Sequence, residues 1–555
     1  MFRMFTTHKI RKYQELTGKL WDFVPGQGEH AQQTYQVLTP NCWESLPDFA
    51  GYRGEGDYTT TFMAGGQLRF EFKGVSHTAT VFLDGKKIAS HYNAYTIFST
   101  VVKDVPWGEH TLTIRADNRF SEESALHLPN DYMSYGGVSR PVILENVSDT
   151  YLKWCHVTPY LENDQWRVKL AIQVANISAE SKTFALRTEI AGMQMDWGEQ
   201  ELAANSEKVF YAEQSFTNVQ AWQQTRPKLY LVSCQLLSQG TPIDDLIDRF
   251  GFREIKVVGK NIQLNGQNIR IKGFCRHEDH PQFGCALPLA AMAADLALLK
   301  DLGANSIRTS HYPNDELFLD LCDEQGILVW EENHARGLTE ADMRNPHFEP
   351  QAEQVIAEMV QAHYNHPAIY IWGILNECAS DTEYGRSCYA QQFSLLRRLD
   401  KTRPCSFASC KFKTDKSFGL PDVVAYNIYP QWYHDAPVAT YLDDLYQWVQ
   451  RETAGAGKPF MITEIGAGGL YGYHNPQHSK WTEDYQAEAL KKQLQAVLSD
   501  PNCLGVYIWQ FCDVRVSEEW FDNRPRTMNN KGIVDEFRRP KMAYQVVKQI
   551  FEELA

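Results

Sequence analysis

The sequence predicts a multidomain β plus α/β protein: two antiparallel β-sandwiches followed by a C-terminal (β/α)8, or TIM, barrel. Three observations predict it. Short alternating, β-rich runs dominate before residue 256. Strand and helix patterns alternate after it. The later strands are continuous apolar runs, as in a parallel sheet buried on both faces.

Within residues 1–150, QLRFEFKG (67–74), TATVFLDGKKIAS (78–90) and HTLTIRADN (110–118) carry the strand pattern, and Asp84-Gly85 supplies a hairpin turn. Residues 151–255 repeat it in WRVKLAIQVANI, TFALRTEIAG and KLYLVSCQLL. Each stretch suits a sandwich of about 100–140 residues. From 256 to 555, eight strands are expected: IRIKGFCR (269–276), SIRTS (306–310), ILVWEEN (327–333), AIYIWGILNE (368–377), CSFAS (405–409), VVAYNIY (423–429), PFMITEIG (459–466) and CLGVYIWQF (503–511). Helices are expected over 289–302 and near 314–325, 351–365, 382–400 and 438–453. Leu490, Leu494, Val497 and Leu498 share one face of another, and Tyr544, Val547, Ile550 and Phe551 one face of the last. No clear helix follows the fifth strand. Eight βα units in about 300 residues are what a TIM barrel requires.

Composition removes other classes. No stretch reaches the ~18–20 apolar residues that span a bilayer, and the first residues lack a secretory pattern. A cytoplasmic protein with no membrane association is expected. With 54 Lys+Arg against 69 Asp+Glu, a net charge of −15 and no basic block, nucleic acid is not an expected partner. The 12 cysteines include no CxxC and read as free thiols.

In a TIM barrel the active site lies at the C-terminal ends of the strands. Glu377 and Glu464 end two otherwise apolar runs there, and an isolated buried carboxylate is costly. The structural alternative for either is an ion pair with an arginine such as Arg276 or Arg308. Two facing carboxyl groups ~5–5.5 Å apart instead suit retaining glycoside hydrolysis. The run His277-Glu278-Asp279-His280 is not read as a metal site, since neighbours on a strand point to opposite faces. Neither a metal nor a cofactor is expected.

LNE (375–377), TEIG (463–466), RTSHYP (308–313), KGFCRHEDH (272–280), LTGKLWDF (16–23) and SYGGVSRPV (134–142) together resemble glycoside hydrolase family 2 over nearly the whole chain. The resemblance implies a jelly-roll-like sugar-binding domain, an immunoglobulin-like sandwich and a catalytic barrel, with homo-oligomers frequent. It implies Glu377 as acid/base, protonated at the outset, and Glu464 as ionised nucleophile. Asn376 would bind the sugar 2-OH. Asn529-Asn530-Lys531 resembles the Asn-x-Lys motif with which β-glucuronidases hold the C6 carboxylate, placing Asn529 and Lys531 in that role.

By the same resemblance Asp131 and His277 contact sugar hydroxyls, Asn427 and Tyr429 lie beside the nucleophile, and Trp509 stacks on the ring. Arg526 resembles an arginine preceding the Asn-x-Lys motif, though one residue nearer the following glycine. Arg336 in NHARGL is a cation not typical of glucuronidases; inside the pocket it would bring galacturonides, with their axial 4-OH, into range. The short stretch after strand 3 favours an open site and larger aglycones. The reading is a retaining exo-β-glucuronidase acting on a glycoside or oligosaccharide that ends in a uronic acid. The alternatives are a β-galacturonidase or dual enzyme, a β-galactosidase-type enzyme, and an inactive carbohydrate-binding protein.

Overall fold

The computed structural model describes residues 1–554. The N-terminal region is one antiparallel assembly whose two longest strands, Glu55–Phe72 and Phe98–Asp117, run through both of its halves. They bend where the register slips around Ala64–Leu68. Gly65 and Gly66 permit the bend: a Cβ on Gly65 would lie 2.6 Å from the Trp107 backbone, and Gly66 has φ 94°. The sheet thereby folds over its own core, which includes Trp21, Phe23, Trp43, Tyr58 and Phe70. Asp84 and Gly85, with φ of 49° and 78°, form the expected hairpin turn between Thr78–Leu83 and Lys86–Tyr92.

Next come a three-stranded sheet (Thr150–Glu162, Gln165–Asn176, Ser206–Phe216) and a four-stranded one (Lys182–Ile190, Met193–Leu202, Tyr230–Ser238, Thr241–Phe250). Val168, Leu170, Ile172, Phe184, Leu186 and Val232 join them in one core, the arrangement of an immunoglobulin-like sandwich.

The barrel strands are β1 (Ile271–Arg276), β2 (Ser306–Thr309), β3 (Leu328–Glu332), β4 (Ile369–Gly373), β5 in two pieces (Cys405–Ser406 and Ala408–Ser409), β6 (Val424–Asn427), β7 (Phe460–Ile465) and β8 (Cys503–Ile508). All neighbours are parallel. The first piece of β5 pairs with β4, the second with β6, and β8 pairs with β1, which closes the barrel. Its helices are α1 (Leu289–Asp301), α2 (Glu316–Gln325), α3 (Glu340–Met343), α4 (Phe348–His363), α5 (Glu383–Leu399), α6 (Val438–Glu452), α7 (Glu483–Ser499) and α8 (Met542–Glu553). The connection 410–423 contains no helix, which is why none was legible there.

The N-terminal sandwich packs on the barrel mouth. Tyr95, Leu126 and Tyr132 belong to the same buried cluster as the barrel interior. A hairpin after β8, Val514–Arg515 with Met528–Asn529, rises to meet it: Trp520 Nε1 donates to the Pro129 carbonyl at 3.3 Å and Arg53 pairs with Glu518 at 3.0 Å.

Candidate active site

The strand ends, this hairpin and the largely irregular stretch 118–141 enclose a cavity of about 540 Å³. Glu377, Glu464, Asp131, Arg336, Arg524 and Lys531 all lie on its wall.

Glu464 ends β7, where Phe460, Met461 and Ile462 are wholly buried. Its carboxylate accepts from Arg308 Nη1 at 2.8 Å and from the Tyr429 hydroxyl at 2.6 Å. The ion pair considered from sequence therefore exists, but it does not consume the residue, which still faces the cavity. Arg308 is itself fixed by Glu332, through Nε at 2.7 Å and Nη2 at 3.0 Å. Trp330 Nε1 donates to Glu332 at 2.9 Å, so every part of this buried support has a partner. Burial opposes the expected ionised state: it pushes Glu464 up to about 7, Arg308 pulls it down, and Glu377 adds to the rise.

Glu377 is not on a strand. β4 stops at Gly373, and Leu375 and Glu377 adopt φ of 49° and 55°, a left-handed conformation costing roughly 1–2 kcal/mol per non-glycine residue. Flanking bonds hold the turn: Leu375 N to Asn333 Oδ1 (3.1 Å), Asn376 N to the Ala335 carbonyl (3.0 Å) and Glu377 N to the Ala408 carbonyl (2.9 Å). The turn aims Glu377 Oε1 at Asn427, whose Nδ2 donates to it at 3.0 Å. Asn376 Oδ1 accepts from Arg308 Nη2 at 2.7 Å and Asn427 Nδ2 at 3.1 Å, which orients the amide and leaves its buried Nδ2 without a protein partner.

Asp131 reaches in from the sandwich. Arg336 Nη2 lies 3.2 Å from it and Arg524 Nη2 3.4 Å, while Asn529 Nδ2 donates at 3.1 Å. Burial alone would raise its pKa, but Arg336, then Lys531 and Arg524, hold the carboxyl well below the usual range. Arg336 also lies 3.8 Å from Glu377.

Lys531 is the odd member. It is 3% exposed, and among the described residues its ammonium has neither a carboxylate nor a hydrogen-bond partner. It sits 5.8, 5.9 and 5.4 Å from the ring centres of Tyr429, Trp432 and Tyr433. Its backbone is pinned: the Lys531 carbonyl accepts from Gln510 N at 3.1 Å, and Gly532 N donates to Asp513 at 2.9 Å. A Cβ on Gly532 would collide with the Asp513 nitrogen and the Val534 carbonyl, so only glycine permits this approach. Asp513, at the end of the last strand, serves the turn and is paired with Lys541 at 2.7 Å.

Of the other residues singled out from sequence, Asn427, Tyr429 and Trp509 line the cavity. Trp509 stacks on His311 at 5.1 Å. His277 lies behind it, stacked on Tyr132 at 4.7 Å, with Nδ1 3.2 Å from the Tyr312 hydroxyl. Asn529 likewise sits off the cavity wall, its amide spent on Asp131. Arg526 does not enter. It is itself left-handed at φ 60°, is 47% exposed at its side chain and pairs with Glu536 at 2.5 Å. Arg524, two residues earlier, takes the inward position. Arg524 was not singled out from sequence, and the only available signal was that it is the first of the two arginines in NRPRT. Residues 277–280 diverge as expected: Glu278 binds Arg140 at 2.7 Å and Asp279 accepts from the Tyr135 hydroxyl at 2.7 Å. Asp320, Asp323 and His366 do come together, but Asp320 is paired with Arg3 and Asp323 with His366.

The family described as "Glycosyl hydrolases family 2, TIM barrel domain" matches residues 255–555, and "Glycosyl hydrolases family 2" matches 150–253. The chain is similar over its whole length to a GH2 β-galacturonidase from Eisenbergiella tayi solved with galacturonate bound: TM-score 0.98, 58% identity, both chains covered in full. A β-glucuronidase from Paenibacillus borealis is 26% identical over 94% of this chain and 92% of its own. A β-D-glucuronidase from Dictyoglomus thermophilum shares the fold, with TM-score 0.86, 24% identity and coverage of 99% and 98%.

Proposed function

The chain belongs to glycosyl hydrolase family 2 and is a glycoside hydrolase, and from that premise we propose that it is a retaining exo-β-uronidase releasing terminal β-D-galacturonate. The observation that carries the uronate reading is the ammonium of Lys531, which has no protein counter-charge or hydrogen-bond partner among the described residues and opens onto the same cavity as both carboxylates. An ammonium at the cavity wall with no protein counter-charge is free to make a charge-assisted bond to an anionic ligand.

Charge balance agrees. The cavity wall holds Arg336, Arg524 and Lys531 against Asp131, Glu377 and Glu464. With Glu377 protonated, as an acid catalyst must be, three cations face two anions, and one sugar carboxylate neutralises the difference. The net charge of −15 is no obstacle, because exposed charges more than ~8 Å away are largely screened at physiological salt.

In the proposed reaction Glu377 gives its proton to the glycosidic oxygen while Glu464 attacks the anomeric carbon. Glu377, now ionised, takes a proton from the water that cleaves the glycosyl-enzyme ester. The free Asn376 Nδ2 donates to the sugar 2-OH, a bond that strengthens in the transition state. Entry of Arg336 into the cavity supports galacturonide over glucuronide, as does the full-length likeness to the Eisenbergiella enzyme. A glucuronide is the second reading, favoured by the Asn529-x-Lys531 pattern and by the Paenibacillus relative.

The test is a panel of matched aryl β-galacturonide, β-glucuronide, β-galactoside and β-glucoside. The expected order of kcat/KM begins with the galacturonide, then the glucuronide, with both neutral glycosides far below. A neutral glycoside hydrolysed as fast as either uronide would defeat the proposal.

A further inference from the structure

Glu377 marks the side on which the leaving group departs, because the acid must reach the glycosidic oxygen. The end of β5 lies beside it: Glu377 N donates to the Ala408 carbonyl at 2.9 Å, and Cys410, two residues on, lines the cavity. Here the barrel lacks a helix, and the chain 410–423 instead brings Phe412 to the rim. The Phe412 ring lies 4.8 Å from Tyr441, inclined at 32°, and Tyr441 lies 5.8 Å from His434, nearly parallel at 17°. All three rings line the cavity, and Phe412 remains 38% exposed.

We infer that Phe412, Tyr441 and His434 form a platform for a planar aromatic aglycone of about two fused rings. The inference rests on the uronidase reading and deepens it by naming the leaving-group class. Three observations argue for it. Three aromatic rings in mutual contact line one side of the cavity, and offset or tilted stacking of a further ring on an aromatic face is favourable. Cys410, Phe412 and Ile428 give this side of the cavity an apolar stretch, and the Phe412 face offers an arene contact that a hydroxyl-rich sugar does not need.

The platform is also held in place before any ligand arrives. Lys413 pairs with Asp444 of α6 at 2.6 Å, and the Tyr426 hydroxyl donates to the Lys411 carbonyl at 3.3 Å. Phe412 thus sits between two contacts that help to place it at the rim.

The experiment compares wild type, Phe412→Ala and Phe412→Tyr on three galacturonides: methyl, 4-methylumbelliferyl and a galacturonyl disaccharide. In Phe412→Ala, kcat/KM for the umbelliferyl substrate is expected to fall about fivefold or more beyond any fall for the methyl glycoside. The difference should lie mainly in KM, and Phe412→Tyr should recover it. Competitive inhibition by free 4-methylumbelliferone should weaken in parallel in Phe412→Ala. Equal losses on methyl and umbelliferyl substrates would overturn the platform, and a larger loss on the disaccharide would make it a sugar subsite instead. A wild type inactive on every uronide would fail the parent reading, whereas an active wild type with an indifferent Phe412→Ala would fail this inference alone.

Discussion

Asp131 of the N-terminal sandwich and Arg336 of the barrel meet 3.2 Å apart inside the cavity. The site is therefore complete only when the two domains are docked, and the barrel alone lacks the carboxylate that orients Arg336, Arg524 and Asn529.

The proposed reaction gives the two carboxylates separable roles. Glu464→Ala should lower kcat by several orders of magnitude on every substrate, because no group remains to attack. Glu377→Gln should be equally severe on alkyl uronides but milder on aryl uronides with acidic leaving groups, which need less proton donation. Steady-state assays across a leaving-group series check this; near-normal rates in both variants would exclude the double displacement.

Lys531→Met should reduce kcat/KM on uronides by about 10–100-fold, the range of a lost charge-assisted bond of about 1.5–3 kcal/mol. Activity on the matched neutral glycosides should change little or rise. Equal loss on both classes would take the carboxylate role away from Lys531.

Arg336→Ala should cost about tenfold more on the galacturonide than on the glucuronide. Asp131 keeps Arg524 and Asn529 in that variant, so its position survives. A ratio of the two specificity constants that does not move would assign discrimination elsewhere.

The pH dependence has a definite sign. In the proposed reaction Glu464 attacks only as a carboxylate, and burial pushes it up to about 7. The free enzyme's kcat/KM should accordingly rise with pH through about 7. Tyr429 donates a hydrogen bond to the ionised form, so Tyr429→Phe raises the Glu464 pKa and moves this limb to higher pH. The variant should lose a larger share of its activity at pH 6 than at pH 8, and a parallel loss at both would assign the limb to another group.

Glu332→Ala removes two bonds to Arg308 and leaves a wholly buried guanidinium short of a counter-charge. Removing one partner of such a pair typically costs about 3–5 kcal/mol, to be read by chemical denaturation. A change under about 1 kcal/mol would show that Glu464 and Asn376 satisfy Arg308 unaided.

Much of this was legible in the chain. Apolar runs with a period-two or βα rhythm specify sandwiches and barrel because burial acts on local patterns. Glu377 and Glu464 stand out because a carboxylate ending an apolar segment demands a reason, and Lys531 because a recognisable motif surrounds it. Long-range geometry was not legible. Whether Arg524 or Arg526 turns inward depends on two consecutive left-handed residues, Arg526 and Thr527, in a short helical turn. That Arg336 enters the cavity depends on Asp131, supplied by another domain. That His277 and Asn529 stand behind the wall, and that Phe412, Tyr441 and His434 align, depends on packing between segments far apart in sequence. The sequence by itself determined the fold class and singled out Glu377, Glu464 and Lys531 as candidates, since each is written in local pattern. Only the tertiary structure decided which charges are spent on one another and which remain for a ligand, because that is settled by distances between domains.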